Sequence, residues 1–541
     1  MRSCFIAAAA AAGSFFAGAA GAADGSLTIT RLSTFQTGYF NQGGSEIPAY
    51  DALSRRVFVV NAGAGTVDSI DLRDPSAPTL LRAIDLVAAC GLPAGSLPNS
   101  VDAKFGIVAV AVQAPVKTDP GQIAFLSAFG QNLCLGTVPA GALPDMVTFS
   151  DDGRFVVAAN EGEPNSYGQA DSVDPEGSVT IVDLWRLGRP GFVRQVRFDA
   201  FNGATEREAL IAAGVRVFGP GASVAQDLEP EYVAISGLDA YVTLQENNAV
   251  AVIDLAAAKV RRILPLGRKD HGVPGAGLDA SDRDGRINIA EWPVQGLYMP
   301  DSIDTLRWKR QTFLVTANEG DARDYTGFAE EVRVGSSAVV LDPAAFPTAS
   351  TLKANAALGR LNVTRAGGDT DGDGDFDRLL SFGGRSVSIW DGSGRLVWDS
   401  GDVLEQDAAA LFPGNFNAGH DDPAFDNRSD NKGPEPEGLA IGQVGGRTYA
   451  FVGLERLSAI AVFDVTNPTQ PAYLTMVANR DFSQPTSVPC ADGVSRCPNP
   501  AAGDLGPEGL EFVPSWASPS GKALLIVGNE VSGTTTIWAV E

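Results

Sequence analysis

A short cassette recurs seven times along the chain and limits what it can fold into. Each copy opens with a proline followed by an acidic or small residue, continues as a β-branched and apolar run, and is followed by a second such run that usually ends in an amide–acid pair. The clearest copies are Pro144-Asp145 with Asn160-Glu161, Pro300-Asp301 with Asn318-Glu319, and Pro507-Glu508 with Asn529-Glu530. Pro230-Glu231 with Gln245-Glu246 and Pro436-Glu437 with Leu454-Glu455 keep the acids. The copies opening at Pro48 and Pro98 keep only the apolar frame and end at Asn61-Ala62 and Gln113-Ala114. A further β-run follows each cassette, as in Val179–Leu184 and Ile460–Val465.

Three or four short strands repeated every 40–50 residues or so are the pattern of propeller blades. The spacing is 46 residues between Pro98 and Pro144 and much longer between Pro300 and Pro436, which predicts insertions near 162–228, 268–298 and 343–434. The fold expected is therefore an all-β propeller with loop insertions, a single domain over 24–541, with seven blades. Eight is the alternative, because Leu379–Trp390 carries an extra β-pattern. The run Ser26–Phe35 has no cassette of its own and is expected to close the ring on the last blade. A sandwich or a β-helix would leave the repeated acid pairs without a reason.

In a blade the innermost strand lines the channel and the second runs antiparallel beside it. A residue before the first strand and one after the second then share an edge. Asp145 with Glu161, Glu231 with Glu246, Asp301 with Glu319, Glu437 with Glu455, and Glu508 with Glu530 should crowd one mouth of the channel. Such carboxylates repel one another and are costly to bury ionised. Divalent cations remove that conflict, and all-oxygen ligands point to Ca²⁺. Glu161, Glu319, Glu455 and Glu530 are the leading metal ligands. The alternative is that these acids cap turns in solvent.

Two local patterns point the same way. Asp369-Thr-Asp371-Gly-Asp373-Gly-Asp375-Phe-Asp377 places carboxylates at alternate positions with a glycine at the sixth, the front of a calcium loop. Leu380 stands at the twelfth position, so a full helix–loop–helix hand is not expected. In the weaker stretch 279–291, Asp282, Asp284 and Glu291 fall at ligand positions, but Ala280 occupies the first, and Asp279 would need a one-residue bulge to replace it.

The N-terminus reads as an export signal. Arg2 precedes an apolar stretch that ends in Gly21-Ala22-Ala23, so residues 1–23 are expected to be removed and the protein secreted or periplasmic. Cys4 lacks the surroundings of a lipid-attachment site. Cleavage would remove one arginine and no acid, moving the net charge from −25 to −26. So acidic a surface argues against nucleic-acid and anionic-membrane partners and attracts cations. No other run is apolar for the length of a bilayer span. Cys90, Cys134, Cys490 and Cys497 remain, and an oxidising compartment suggests the disulfides Cys90–Cys134 and Cys490–Cys497.

Several longer motifs carry a resemblance. Gly296-Leu-Tyr-Met-Pro-Asp301, Ala317-Asn-Glu-Gly-Asp-Ala-Arg323-Asp-Tyr325, Ser381-Phe-Gly-Gly-Arg-Ser386, Phe425–Gly438 and Gly528-Asn-Glu-Val-Ser-Gly533 resemble the choice-of-anchor I proteins. That group is similar to mesenchyme-specific cell-surface glycoproteins associated with biomineral deposition. The resemblance implies a secreted or surface propeller with calcium affinity, and bacterial relatives often carry an alkaline phosphatase label. Two functions are therefore expected. One is a calcium-dependent phosphoesterase acting on a phosphorylated small molecule, with Glu319, Arg323 and Arg428 as catalytic residues beside Lys432. The other is a non-catalytic calcium-binding exoprotein in adhesion or mineral handling, with the cationic residues in structural ion pairs. His271 and His420 do not make a zinc set. His420 is read as a surface-loop histidine, with proton donation as the alternative.

Overall fold

The computed structural model describes residues 27–492 and 494–541. The proposed leader, residues 1–23, lies outside them. Among the described residues, seven four-stranded antiparallel sheets follow one another as blades of a β-propeller. Their innermost strands are Pro48–Asp51, Leu97–Lys104, Pro144–Phe149, Pro230–Ser236, Ile303–Trp308, Pro436–Val444 and Pro507–Val513. Each blade thus begins within three residues of its cassette proline. The N-terminal strand Ile29–Gln36 is the outer strand of the last blade, pairing with Thr534–Val540 from Ile29↔Val540 to Gln36↔Thr534. The ring closes as the sequence predicts.

The apolar runs become strands because both faces of each sheet are covered. Along Phe155–Asn160, residues Phe155, Val157 and Ala159 face one interblade core, shared with Val233, Val242 and Ile253 of the next blade. Val156 and Ala158 face the other, shared with Ala109, Ala111 and Ile123 of the preceding blade. This is the two-residue alternation of a strand buried on both sides. Phe451 stacks on Phe512 at 5.7 Å across the joint between the sixth and seventh blades.

The amide of the amide–acid pair is a staple. Asn160 Nδ2 donates to Ser178 Oγ (3.1 Å) and Thr180 Oγ1 (3.0 Å) on the third strand. Asn318 does the same to Ser386 (3.1 Å) and Ser388 (2.7 Å), and Asn529 to Thr534 (3.2 Å) and Thr536 (3.3 Å). All three amides are buried.

The Leu379–Trp390 run makes no additional blade. Ser386–Asp391 is the third strand of the fifth blade, reached after a long excursion from Asn318. Leu380–Ser381 joins Arg268–Asp270 and Gln295–Leu297 in a small sheet. The β-pattern was real, but a 67-residue insertion had separated this strand from its partners. Parts of 268–298 and 319–385 pack together around Leu278, Val332, Leu341, Leu358, Leu361 and Phe376, a satellite core of their own. Disulfides join Cys90 to Cys134 and Cys490 to Cys497. The first ties the short helix Leu86–Cys90, between the first two blades, to the outer strand of the second. Among the described residues no helix is long and apolar enough to cross a membrane.

Removing a buried staple leaves hydroxyls without their donor. Asn529→Ala should therefore cost about 1–3 kcal/mol of stability, read as a lower denaturant midpoint with an unchanged slope.

Candidate cation-binding mouth of the propeller

The rim is built by backbone geometry before any side chain takes part. Pairing in four of the acid-bearing cassette blades skips the position after the proline: Pro144↔Asn160 is followed by Met146↔Ala159, Pro230↔Leu244 by Val233↔Val242, Pro436↔Leu454 by Leu439↔Val452, and Pro507↔Asn529 by Leu510↔Val527. Asp145, Glu231, Glu437 and Glu508 thus lie in β-bulges, which free a residue from the ladder and re-aim its side chain. Before the proline the chain turns through positive φ, at Leu143 (46°), Glu435 (52°) and Gly506 (69°). The carbonyls of these residues accept the N–H of Glu161 (2.9 Å), Glu455 (2.9 Å) and Glu530 (2.8 Å). One bond per blade therefore fixes the two acids of a cassette beside each other.

Nine of the ten cassette acids line one cavity of about 510 Å³, together with Asp321, His420 and Arg456. Ten carboxylates there face one guanidinium and one imidazole. The tenth cassette acid, Glu246, lines an adjoining cavity of about 400 Å³ that shares Glu161, Glu231, Asp321 and Arg456 and adds Arg428 and Lys432. The acids do meet at one mouth, rather than each capping a separate turn.

Charge is distributed unevenly around it. On the side of blades five and six, Lys432 Nζ reaches Glu319 (2.5 Å), Glu435 (3.1 Å) and Asp321 (3.2 Å). Arg456 reaches Glu455 (3.0 Å) and Glu435 (3.1 Å). Burial opposes it, but Lys432, Arg428 and Arg456 together hold the Glu435 carboxyl well below the usual carboxylate range. Asp301 and Glu437 of the same two blades are not held down in this way, and neither are the first-strand acids of the fourth and seventh blades. Glu231, Glu246, Glu437 and Glu508 each keep one buried oxygen without a hydrogen-bond partner. Burial first, and then neighbouring carboxylates, pushes Glu231, Asp301, Glu437 and Glu508 well above the usual range, and Glu46 and Glu530 up to about 8. Acids deeper in the channel are different: Asp102 accepts the N–H of Phe149 (2.7 Å) and Asp304 that of Ile441 (3.0 Å), bonds that join neighbouring blades.

Oxygens of Glu46, Glu508 and Glu530 lie within 4.8 Å of one another, as do those of Asp301, Glu319 and Glu437. Both trios offer only oxygen, the donor set of Ca²⁺. His420 with Glu455 and Glu530 forms a third group with one nitrogen donor. His420 is not a surface-loop histidine. It is 7% exposed, and its Nδ1 lies 2.8 Å from Glu455. Its approach to the rim depends on folding of the 400–435 segment, which no local spacing reveals. Glu46 was equally hidden, because it lies two residues before Pro48 instead of after it.

Of the residues expected to handle phosphate, Glu319 and Arg428 line these cavities and Arg323 lines neither. Arg323 is 1% exposed, with Nη1 on Asp227 (2.5 Å) and Nε on Glu229 (3.2 Å), so its charge is engaged behind the rim. In the Asp369–Asp377 loop, Asp369 accepts the N–H of Gly372 (2.7 Å) and Gly374 (3.0 Å), while Asp371 and Asp373 accept the amides two residues on. Asp375 and Asp377 converge with Asp342, a partner contributed by the parallel bridge Leu341↔Phe376. In the 279–291 stretch Asp282 pairs with Arg360 (2.9 Å), Asp284 lies against Arg286 (3.4 Å), and Glu291 is exposed.

Fold and rim together define a closed β-propeller with an acid-lined channel mouth. The chain belongs to the choice-of-anchor I domain family, whose model matches residues 46–468. It is 33% identical over 324 residues to a mesenchyme-specific cell surface glycoprotein of Strongylocentrotus purpuratus, covering 52% of this chain and 41% of that protein. It is 29% identical over 197 residues to gigasin-3a of Magallana gigas, covering 35% of this chain and 67% of the relative. The chain thus spans about two fifths of the length of the sea-urchin relative. Among solved structures, the β-propeller domain of Cps50 (Swd1) from Myceliophteria thermophila is 10% identical with a TM-score of 0.43, over 95% of this chain and all of that one.

Raised carboxyl values fix a pH dependence. Asp145 (about 6), Glu246 (about 7), Glu46 and Glu530 (about 8) bind protons more tightly folded than unfolded, where the values are 3.8 for Asp and 4.5 for Glu. The stabilisation this gives is complete below the unfolded values and is lost as pH rises through 6 to 8. Chelator-treated protein should therefore melt at a lower temperature at pH 8 than at pH 5.5, and added Ca²⁺ should raise the melting temperature more at pH 8.

Proposed function

We propose that this protein is an exported cation-binding propeller whose acidic mouth takes up Ca²⁺. The observation that carries this reading is the charge of the larger cavity, ten carboxylates against one guanidinium and one imidazole, with buried oxygens of Glu231, Glu437 and Glu508 left unpartnered. Cations satisfy both deficits at once, and the two oxygen-only trios have the spacing for it. Asp342 with Asp375 and Asp377 supports a further calcium position at the outer loop. Export is supported by the apolar N-terminal run and the two disulfides. The sea-urchin relative's name, a cell surface glycoprotein, fits a role outside the cell in adhesion or mineral handling.

A second reading, phosphoester hydrolysis, rests on Arg428, Lys432 and Arg456 lining the smaller cavity beside the acids. An ion in the mouth would supply Lewis-acid charge toward a phosphoryl oxygen. Arg428 and Lys432 would orient the remaining oxygens, as guanidinium and ammonium groups do for phosphate. Arg323 would act only through Glu229 and Asp227, holding the floor of the site.

Purified protein should contain Ca²⁺ that a chelator removes. Glu319→Gln and Glu530→Gln should each reduce metal content severalfold, since an amide oxygen replaces a carboxylate poorly, while circular dichroism stays unchanged. Unaltered metal content in both variants would sink the metal mouth. If the calcium-loaded protein hydrolyses neither phosphomonoesters nor phosphodiesters, the hydrolytic reading falls and the binding function stands.

A further inference from the structure

A second cluster of carboxylates lies away from the mouth, where the 279–288 loop meets the 400–435 segment. The loop carries Asp282, Asp284 and Gly285 in the spacing of a calcium loop but has Ala280 at the first ligand position. Asp279 does not substitute for it. Fully buried, it is occupied in closing the loop, accepting the N–H of Asn288 (2.5 Å) and of Ser281 (3.2 Å).

Asp426 enters from the other segment. It is 1% exposed; its Oδ1 accepts the Ser429 hydroxyl (2.5 Å), and its Oδ2 has no partner. A buried, unpartnered carboxylate oxygen is costly to keep and calls for a ligand. Its neighbours in charge are the loop's own acids: burial first, and then Asp279, Asp284 and Asp282, push Asp426 up to about 8 against the lowering effect of Ser429. The two segments are also pinned together. Arg385 donates to the carbonyls of Asp279 (2.8 Å) and Ser429 (2.8 Å), and Arg360 bridges Asp282 (2.9 Å) and Asp430 (2.8 Å).

We propose that the 279–288 loop and Asp426 together form a discrete site for a hard divalent cation of the calcium class, with Asp426 supplying the carboxylate that the loop lacks at its first position. Oδ2 of Asp426, with Asp282 and Asp284, makes an oxygen-only set of the kind such cations take. Backbone carbonyls and water complete it. Arg360 and Arg283 each hold one oxygen of Asp282 through their Nε atoms (2.9 and 3.1 Å), which limits the repulsion while the site is empty. Arg428 follows Asp426 by two residues and Lys432 by six, and both line the smaller mouth cavity. An ion here therefore fixes the segment that delivers positive charge to the mouth. The site stands independently of any cation bound at the mouth itself.

Hydrogen exchange of the full-length protein in Ca²⁺ and in chelator tests this, alongside calcium equivalents measured by equilibrium dialysis. Ca²⁺ should slow exchange at least tenfold in both 279–290 and 424–433. Asp426→Asn, which keeps the contact to Ser429, should lose one equivalent and abolish that protection. Glu508→Gln with Glu530→Gln should leave it intact, separating this site from the mouth. If Asp426→Asn does not fold, Asp284→Asn is read in the same way. Equal exchange with and without Ca²⁺ in the wild-type protein, or an unchanged number of equivalents in the folded variant, would overturn the proposal.

Discussion

Like charges forced together in a partly desolvated space are the constraint on which this molecule turns. Keeping one carboxylate ionised in such surroundings carries a penalty of several kcal/mol, and the mouth gathers ten of them. The backbone gives most of them no escape, because a bulge after the proline in four blades, and in three of these a glutamate N–H bonded to the carbonyl before it, fix the acids in place. Only three responses are open: protonation, internal cations, or bound ions. Lys432 and Arg456 answer for Glu319, Glu435 and Glu455. Asp301, Glu437 and the acids of the third, fourth and seventh blades are left to the other two.

Division of labour inside the amide–acid pair explains how a fold can tolerate this. Asn160, Asn318 and Asn529 spend their amides on hydroxyls of the next strand, so the carboxylates of the adjoining glutamates take no part in that staple. Stability and ion binding are thereby assigned to neighbouring residues. The first blade shows the separation from the other side: Asn61 keeps a bond, to Asp68 (3.0 Å), although Ala62 has replaced the acid.

What was legible in the sequence follows from what is local. Strand alternation, the cassette spacing and the unpaired N-terminal run are properties of contiguous residues, and they led to the propeller, its closure and the gathering of the acids, while the count of cysteines and the expected oxidising compartment led to both disulfides. The extra run at Leu379–Trp390 misled because a strand is recognised by pattern while its partners are chosen by geometry; it lies beside Asn318, across an excursion that pattern alone does not bridge. His420 and Asp426 escaped for the same reason, since each acquires its neighbours only when a distant segment folds over, whereas Glu46 escaped because it precedes its cassette proline. Arg323, expected to act on phosphate beside the acids, is instead drawn behind the rim by Asp227 and Glu229, which lie 96 and 94 residues away in sequence.

Closure by the N-terminal strand has a temporal consequence. The entropy of joining residue 29 to residue 540 grows only with the logarithm of the intervening length, so the join itself is cheap. Delay is the greater burden. Until the two ends meet, Thr534–Val540, a run of threonines, isoleucine, tryptophan and valine, presents an open edge that other chains can extend. The ring behaves like a clasp that protects nothing until it is shut. Assembly of this protein is therefore exposed to intermolecular strand pairing during the interval before its last blade is completed by its first strand.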